Sequence, residues 1–404
     1  MDEKQLVEEL KKVVSHALNS KLYSSKFDQL DFKLKNISDF KKLPFTTKED
    51  LKKDYPFSNL CVDLKDVIEV HTSSGTTGQP QITFLTKKDL EIASNYVSKA
   101  WKEFGVNEKS VVQFIMSYGL FSGAMLNTFA IQKLGALVIP TGIISTKKQI
   151  EFMQEFGTDI IVATPSYYLY LYDYMKQNNI PRSSIKLKIG IAAGEVYSES
   201  IRKEIEKKLN IKIFDHYGLC EVYTGIAFEC QNKNGFHILD EFVYSEVIDP
   251  ATGKEVDVGE KGELVLTTLK KEASPLIRYR TNDLVVKLDS CCCEIKSSKV
   301  SRIIKRIDDV IFIKGIKFDP YEVKEILNRQ FKKDFYNEMQ FVIPKNLKSE
   351  YPKVILVPRI KNTDKDIIKK IIKNETNLNF DVEFVDISYF RNAIETKIKL
   401  VKWK

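Results

Sequence analysis

The chain has no run near the roughly 20 consecutive apolar residues that a membrane-crossing helix needs, so no such helix is expected. Six cysteines in 404 residues are too few to read as the disulfide framework of a small secreted scaffold. Basic runs interleaved with aromatics, the footprint of nucleic-acid binding, are also missing, as are internal repeats. The charge excess is modest: 63 Lys and Arg against 55 Asp and Glu, a net +8. That balance describes a solvated lysine-rich surface, and its sign suits anionic small molecules such as nucleotides or an acidic partner. The first residues, MDEKQLVEELKKVV, are charged and amphipathic rather than a signal sequence, so a cytoplasmic location is expected, with neither nucleic acid nor membrane as partner.

Against these absences stands one crowded segment, HTSSGTTGQP at residues 71–80. Ser73, Ser74, Thr76 and Thr77 are set around Gly75 and Gly78. Glycine lets a backbone approach a ligand closely, and successive N–H groups with small hydroxyls can surround a polyanion without steric cost. Phosphate is the natural guest, although a solvated turn has the same composition. The segment is not a P-loop: its second glycine is followed by Gln79 and Pro80 where that motif requires Lys and then Ser or Thr.

The cysteines matter by spacing. Cys291, Cys292 and Cys293 are consecutive, and Cys230 precedes His237 in CQNKNGFH. These look like two half-sites for zinc, since three thiolates and one imidazole form a common structural arrangement. Inert buried thiols are the alternative on spacing alone.

Length implies more than one domain. Residues 1 to about 60 read as a helical leading subdomain ending in LPFTTKEDL, where Thr46-Thr47 and Glu49-Asp50 form an N-cap with an acidic first turn. After QITFLT, strand-like runs (VVQFIM, ALVIP, DIIVAT, KIGIAA, IKIFDHY) alternate with helical stretches over 88–104, 147–155, 166–177 and 198–208. This spacing predicts βαβ units in a parallel sheet, with a ligand beyond the C-terminal strand ends. Near residue 236 the pattern changes to FHILDEFVYSEVID, GELVLTTL and LIRYRTNDLVVKL, a mainly antiparallel β unit. From about 307 a small lysine-rich α+β piece follows. The fold class expected is α/β: a large N-terminal domain over 1–304 with parallel sheets plus a β unit, and a small mobile α+β domain over 305–404.

Several motifs stand in one order: SSGTTG at 73–78, TPSYYLYL at 164–171, AGEVYSESIR at 193–202, YGLCE at 217–221, KGELVLTTL at 261–269, RYRTND at 278–283 and KRIDDVIFIKGIKF at 305–318. Together they resemble the adenylate-forming superfamily of acyl-CoA synthetases. Within it, LPFTTKEDL, TPSYYLYL, FECQNKNGFHI and KEASPLIRYRT are similar to the phenylacetate-CoA ligase family. The resemblance implies a two-step reaction: a carboxylate attacks the α-phosphate of ATP to give an acyl-adenylate and pyrophosphate, and a thiol then displaces AMP.

It also implies roles. The Ser/Thr/Gly segment would cradle the leaving phosphates. Glu221 would hold Mg²⁺ against the α-phosphate, and Asp283 would accept both ribose hydroxyls. Ala193, Gly194 and Glu195 would pass along the adenine, with Asp215, His216, Tyr217 and Gly218 on its other side, and Arg306 would meet the ribose or phosphates. Lys397, in ETKIKLV, matches the lysine that bridges carboxylate and α-phosphate. Asp308 matches the hinge about which the C-terminal domain turns between half-reactions. An aromatic-walled acyl pocket would be lined by Tyr118, Phe121, Ser122, Tyr167 and residues around Tyr223 to Ala227. Related ligases carry cysteines ahead of the hinge and a Cys/His pair after the YG-x-x-E loop, which implies structural zinc on Cys230, His237, Cys291 and Cys293.

The sequence departs from the family pattern at Gln79 in place of Lys, Cys220 in place of Ser or Thr, Lys305 in place of Gly, and Thr396 in place of the Gly before the bridging lysine. The expected substrates are a carboxylic acid, aromatic and phenylacetate-like, with ATP and CoA. Transfer to a phosphopantetheinyl carrier protein or an amine, and adenylylation of a cofactor hydroxyl, remain alternatives. A homodimer is left open. A catalytically silent binding protein is disfavoured by retention of Glu221, Asp283, Arg306 and Lys397.

Overall fold

The computed structural model describes residues 1–28, 33–73, 80–289, 293–313, 316–331, 334–344, 350–359, 363–386, 388–391 and 400–403. Four helices lead: α1 (Glu3–Ala17), α2 (Lys21–Phe27), α3 (Ile37–Phe40) and α4 (Lys48–Lys52). In α1 the buried residues Val7, Leu10, Val14 and Ala17 recur every three or four positions, the spacing that makes one apolar stripe. The expected cap of α4 is present: Thr47 and Asp50 form a reciprocal capping box.

An antiparallel hairpin of β1 (Val67–Thr72) and β2 (Ile82–Thr86) follows. The chain then alternates α5 (Lys87–Glu103), β3 (Val111–Phe114), α6 (Ser122–Gln132), β4 (Leu137–Ile139), α7 (Thr146–Phe156), β5 (Ile160–Ala163), α8 (Pro165–Gln177), β6 (Ile189–Ala192), α9 (Glu199–Leu209) and β7 (Lys212–Leu219). Strands β4, β3, β5, β6 and β7 pair in that order, all parallel. Alternate residues serve opposite faces, as strand geometry demands. Ile160 and Val162 join the core that includes Ala93, Val97 and Trp101 of α5 and Leu126 of α6. Ile161 and Ala163 join the one that includes Met153 of α7, Leu169 of α8 and Ile205 of α9.

The antiparallel unit consists of β8 (Tyr223–Glu229), β9 (Phe236–Ile238), β10 (Val243–Ile248), β11 (Lys261–Thr268), β12 (Tyr279–Leu288) and β13 (Lys299–Val300), with β14 (Lys305–Arg306) paired to β12. It is not a separate sheet. β7 pairs in parallel with β6 through Asp215 and antiparallel with β8 from His216 onward, so both units share one continuous sheet. The predicted helices appear within a residue or two. α6 was not anticipated, because Gly-Ala-Met-Leu-Asn-Thr-Phe-Ala-Ile offers no polar face and its N-cap, Phe121, makes no side-chain cap.

The remainder comprises the hairpin β15 (Ile311–Ile313) and β16 (Ile316–Phe318), then α10 (Pro320–Gln330), β17 (Phe335–Ile343), β18 (Lys353–Pro358), α11 (Lys365–Thr376), β19 (Asp381–Phe384), α12 (Ser388–Arg391) and β20 (Val401–Trp403). A second sheet runs β19, β18, β17, β20. It has its own apolar core, including Phe318, Leu327, Phe341, Leu356, Ile368 and Phe380. Arg359, after β18, reaches back to Glu204 of α9 at 2.7 Å. No described helix is long and apolar enough to cross a membrane.

Candidate active site

The segments that leave the C-terminal ends of β3, β5 and β6 meet at Gly194, on the edge at whose crevice an open α/β sheet binds its ligands. Gly194 follows β6 with φ of 84°, and a Cβ there would meet Met116 beyond β3 at 3.4 Å and Thr164 beyond β5 at 3.9 Å. Glu195 is fixed over the start of α8. Its carboxylate takes the Ser166 hydroxyl at 2.8 and 2.9 Å and the Ser166 amide at 3.3 Å, a favourable place for negative charge. Gly218 is required by close approach: a Cβ would lie 2.4 to 2.6 Å from backbone atoms of Tyr223, Thr224 and Gly225.

Two motifs interlock at the end of β7. Tyr217 donates its hydroxyl to Asp283 on β12 at 2.6 Å. In return Tyr279, also on β12, donates to Glu221 just past β7 at 2.8 Å. Each segment thus lends a tyrosine to the other's carboxylate. Asp283 and Glu221 are both buried. Arg306 on β14 donates to the other Asp283 oxygen at 2.9 Å and to the Thr281 carbonyl at 3.2 Å. Arg306 also grips Asp308 at 3.0 Å, and Lys48 of α4 reaches the same carboxylate at 2.6 Å. Burial alone would raise the Asp308 pKa, but these two cations bring it down to about 2.

Strand alternation separates the three neighbours grouped on sequence. Asp215 is buried, which raises its pKa to about 6 against the pull of Arg302, 2.7 Å away. Arg302 lies in turn over the ring of Tyr197, 4.1 Å from its centroid. His216 faces the other side, its ring 5.6 Å from Trp101 and 5.5 Å from Phe104, and burial lowers its pKa to about 4. The His216 ring is therefore packed in an aromatic core rather than beside Tyr217.

Beneath them Arg202 of α9, 1% exposed, binds Glu229 of β8 through both oxygens at 2.7 and 2.8 Å, and Glu229 also takes the Asp215 amide. Glu229→Ala removes the bidentate partner of a buried guanidinium and leaves it Glu199 at 3.1 Å and the Ile213 carbonyl at 3.3 Å. It is expected to cost about 3–5 kcal/mol, read as a lowered denaturation midpoint.

The expected pocket residues fall in two groups. Tyr118, hydrogen-bonded to Thr128 at 2.7 Å, packs with Ala227 against the main core, and Ser122 is buried at the start of α6, directly after Phe121. Tyr167 packs against the cluster on the opposite sheet face. Ser73 closes the β1–β2 stem, its amide donating to the Gln81 carbonyl at 2.9 Å and its hydroxyl accepting from the Gln81 amide at 2.8 Å. Ser74, Gly75, Thr76, Thr77 and Gly78 lie outside the described residues, as do Lys397 and Cys291.

Away from the crevice, ligand atoms of Cys230, His237 and Cys293 lie within 4.8 Å of one another. Cys293 Sγ is 3.3 Å from His237 Nε2, and Nδ1 of that ring is 3.0 Å from the Ser297 hydroxyl. Two thiols and one imidazole converge, the imidazole being oriented through its second nitrogen, which fits a zinc ion.

Comparison with known proteins decides the lineage. The AMP-binding enzyme family matches residues 6–269. The phenylacetate-coenzyme A ligase of Aromatoleum evansii is 38% identical over 327 residues, 80% of this chain and 74% of that protein. The chain belongs to the phenylacetate-coenzyme A ligase family. The Pseudomonas putida family member is 35% identical over 325 residues, 79% of this chain and 74% of its own length. The fold is shared with the solved 2-hydroxyisobutyryl-CoA ligase in complex with 2-HIB-AMP, at a TM-score of 0.84 and 21% identity over 100% of this chain and 89% of that one. In this member of the phenylacetate-coenzyme A ligase family, sequence reasoning missed Tyr279, Arg302 and Lys271. Tyr279 sits inside a recognised motif, RYRTND, but its partner depends on strand register, and the two cations look like ordinary surface charge.

Proposed function

We propose that this protein activates a carboxylic acid with ATP, releasing pyrophosphate, and passes the acyl group from the acyl-adenylate to the thiol of coenzyme A. The observation that carries the reading is the crossed pair of bonds, Tyr217 to Asp283 and Tyr279 to Glu221. It sets two buried carboxylates at the mouth of a parallel sheet, which is where a nucleotide with its metal has to be held. Asp283 retains lone pairs for the ribose hydroxyls beyond those used by Tyr217 and Arg306. Among the described residues Glu221 Oε2 accepts no hydrogen bond, so a hard oxygen is available and Mg²⁺ fits. When bound, the ion would neutralise phosphate charge. Ser73 to Gly78 would supply donors for the departing phosphates, and Lys397 would stabilise charge at the α-phosphate.

Residues 305–404 are proposed to rotate about Asp308 between the half-reactions. The ion pairs of Asp308 with Arg306 and Lys48 would steady one orientation. The acid is proposed to be aromatic and phenylacetate-like, in keeping with Tyr118 beside α6 and with the family members named above. Incubation with ATP, Mg²⁺, phenylacetate and CoA is expected to give the aryl-CoA thioester. If labelled acyl group appears only on a phosphopantetheinylated carrier protein, the CoA assignment is wrong while the first step stands.

The Cys230, His237 and Cys293 cluster is proposed to hold a structural zinc, with Cys291 as fourth ligand, tying β8 and β9 to the segment before β13. Purified protein is expected to carry about one zinc per chain. His237→Ala is expected to release it and lower the melting temperature by several degrees, because metal affinity is folding energy. A metal-free protein of equal stability would reject the site.

A further inference from the structure

The connection between β11 and β12 carries a cation that the proposed reaction does not use. Lys271 is 3% exposed. A buried ammonium is tolerated only when its N–H groups are matched. All three are: Lys271 Nζ donates to the Thr83 hydroxyl on β2, to the Glu221 carbonyl at 2.8 Å and to the Val222 carbonyl at 3.0 Å. The ring of Tyr223 lies 4.8 Å from the same nitrogen. The backbone beside Lys271 is held as firmly. Asp89 of α5, fully buried, accepts the amides of Glu272 at 2.6 Å and Ala273 at 2.9 Å as well as that of Thr86 at 3.1 Å. Three stretches distant in sequence therefore meet at one ammonium on an immobilised loop.

Two of the three acceptors belong to Glu221 and the residue after it. Tyr279 fixes the carboxylate end of Glu221, and Lys271 fixes its main chain. We propose that Lys271 is a positioning residue for adenylate formation, its ammonium clamping the Glu221 and Val222 carbonyls to β2 and so aiming the Glu221 carboxylate at the nucleotide's metal. This inference rests on the proposed role of Glu221. Loss of the ammonium removes the donor that both carbonyls share and leaves Glu221 fixed through its carboxylate. Second-sphere partners of this kind typically change metal affinity by about 10- to 100-fold.

The test uses Lys271→Met, which keeps the length and apolar stem of the side chain. Mn²⁺ binding is followed by electron paramagnetic resonance in the presence of α,β-methylene-ATP. Thioester formation from chemically prepared acyl-adenylate and CoA is measured in parallel. The expected result is a rise of about tenfold or more in the Mn²⁺ dissociation constant, with thioester formation within about twofold of wild type. An unchanged dissociation constant in a folded Lys271→Met protein overturns the proposal. Should that variant not fold, Thr83→Val removes one acceptor more gently and is expected to raise the same constant about threefold; an unchanged value there overturns the proposal equally. Glu221→Gln in the same assay separates the two levels. If it binds Mn²⁺ as wild type does, the reading of Glu221 fails; if it weakens binding and Lys271→Met does not, only the role of Lys271 fails.

Discussion

Glu221→Gln is expected to reduce acyl-adenylate formation by at least about a hundredfold while leaving the protein folded. The substitution is nearly isosteric, and the amide oxygen can still accept the Tyr279 hydroxyl that Glu221 now holds at 2.8 Å. Packing at this buried position is therefore preserved. What is lost is the negative charge, and a neutral amide is a poor ligand for a hard divalent cation. Pyrophosphate exchange reads the catalytic loss and a thermal melt reads the fold. Wild-type exchange in the variant would remove Glu221 from the reaction. A large drop in melting temperature would mean that its part is structural.

The second large effect is expected at Lys397. Lys397→Ala should cripple adenylate formation by about a hundredfold or more and leave thioester formation from pre-made acyl-adenylate largely intact. A cation beside the α-phosphate matters where charge builds on phosphorus, and after rotation of residues 305–404 the lysine would be withdrawn from the crevice. Asp308→Pro should do the reverse. Proline fixes φ near −65° and would restrict the turn at residues 307–309 to one orientation, sparing the first half-reaction and blocking the second. Both half-reactions can be assayed separately with chemically prepared acyl-adenylate. Equal losses in Lys397→Ala would shift the assignment to Lys399.

The βαβ alternation was legible because each strand is a short apolar run and the helices other than α6 have a polar face. The junction between the two β units was not. It depends on β7 pairing one way along its first half and the other way along its second, which no local pattern encodes. The motifs located Glu221 and Asp283, yet the crossed tyrosines that hold them follow from how strands far apart in sequence are placed, the partners being 66 and 58 residues apart. His216 shows the opposite failure: a motif suggested a place beside Tyr217, and simple alternation turned the ring into an aromatic core. Lys270 and Lys271 are the plainest case. Adjacent and identical in sequence, one pairs with Glu9 of α1 in a partly exposed position while the other is buried against three oxygen acceptors.

The central claim is that this chain makes an acyl-adenylate. Exchange of labelled pyrophosphate into ATP, with Mg²⁺ and a panel of aromatic and short aliphatic acids, tests it most directly, because the exchange needs neither the thiol nor the second half-reaction. The account predicts exchange that depends on added acid, is fastest with phenylacetate or a close aryl relative, and is abolished in Glu221→Gln. Absence of exchange with every acid in the panel, in a preparation that is folded and binds ATP, would contradict it.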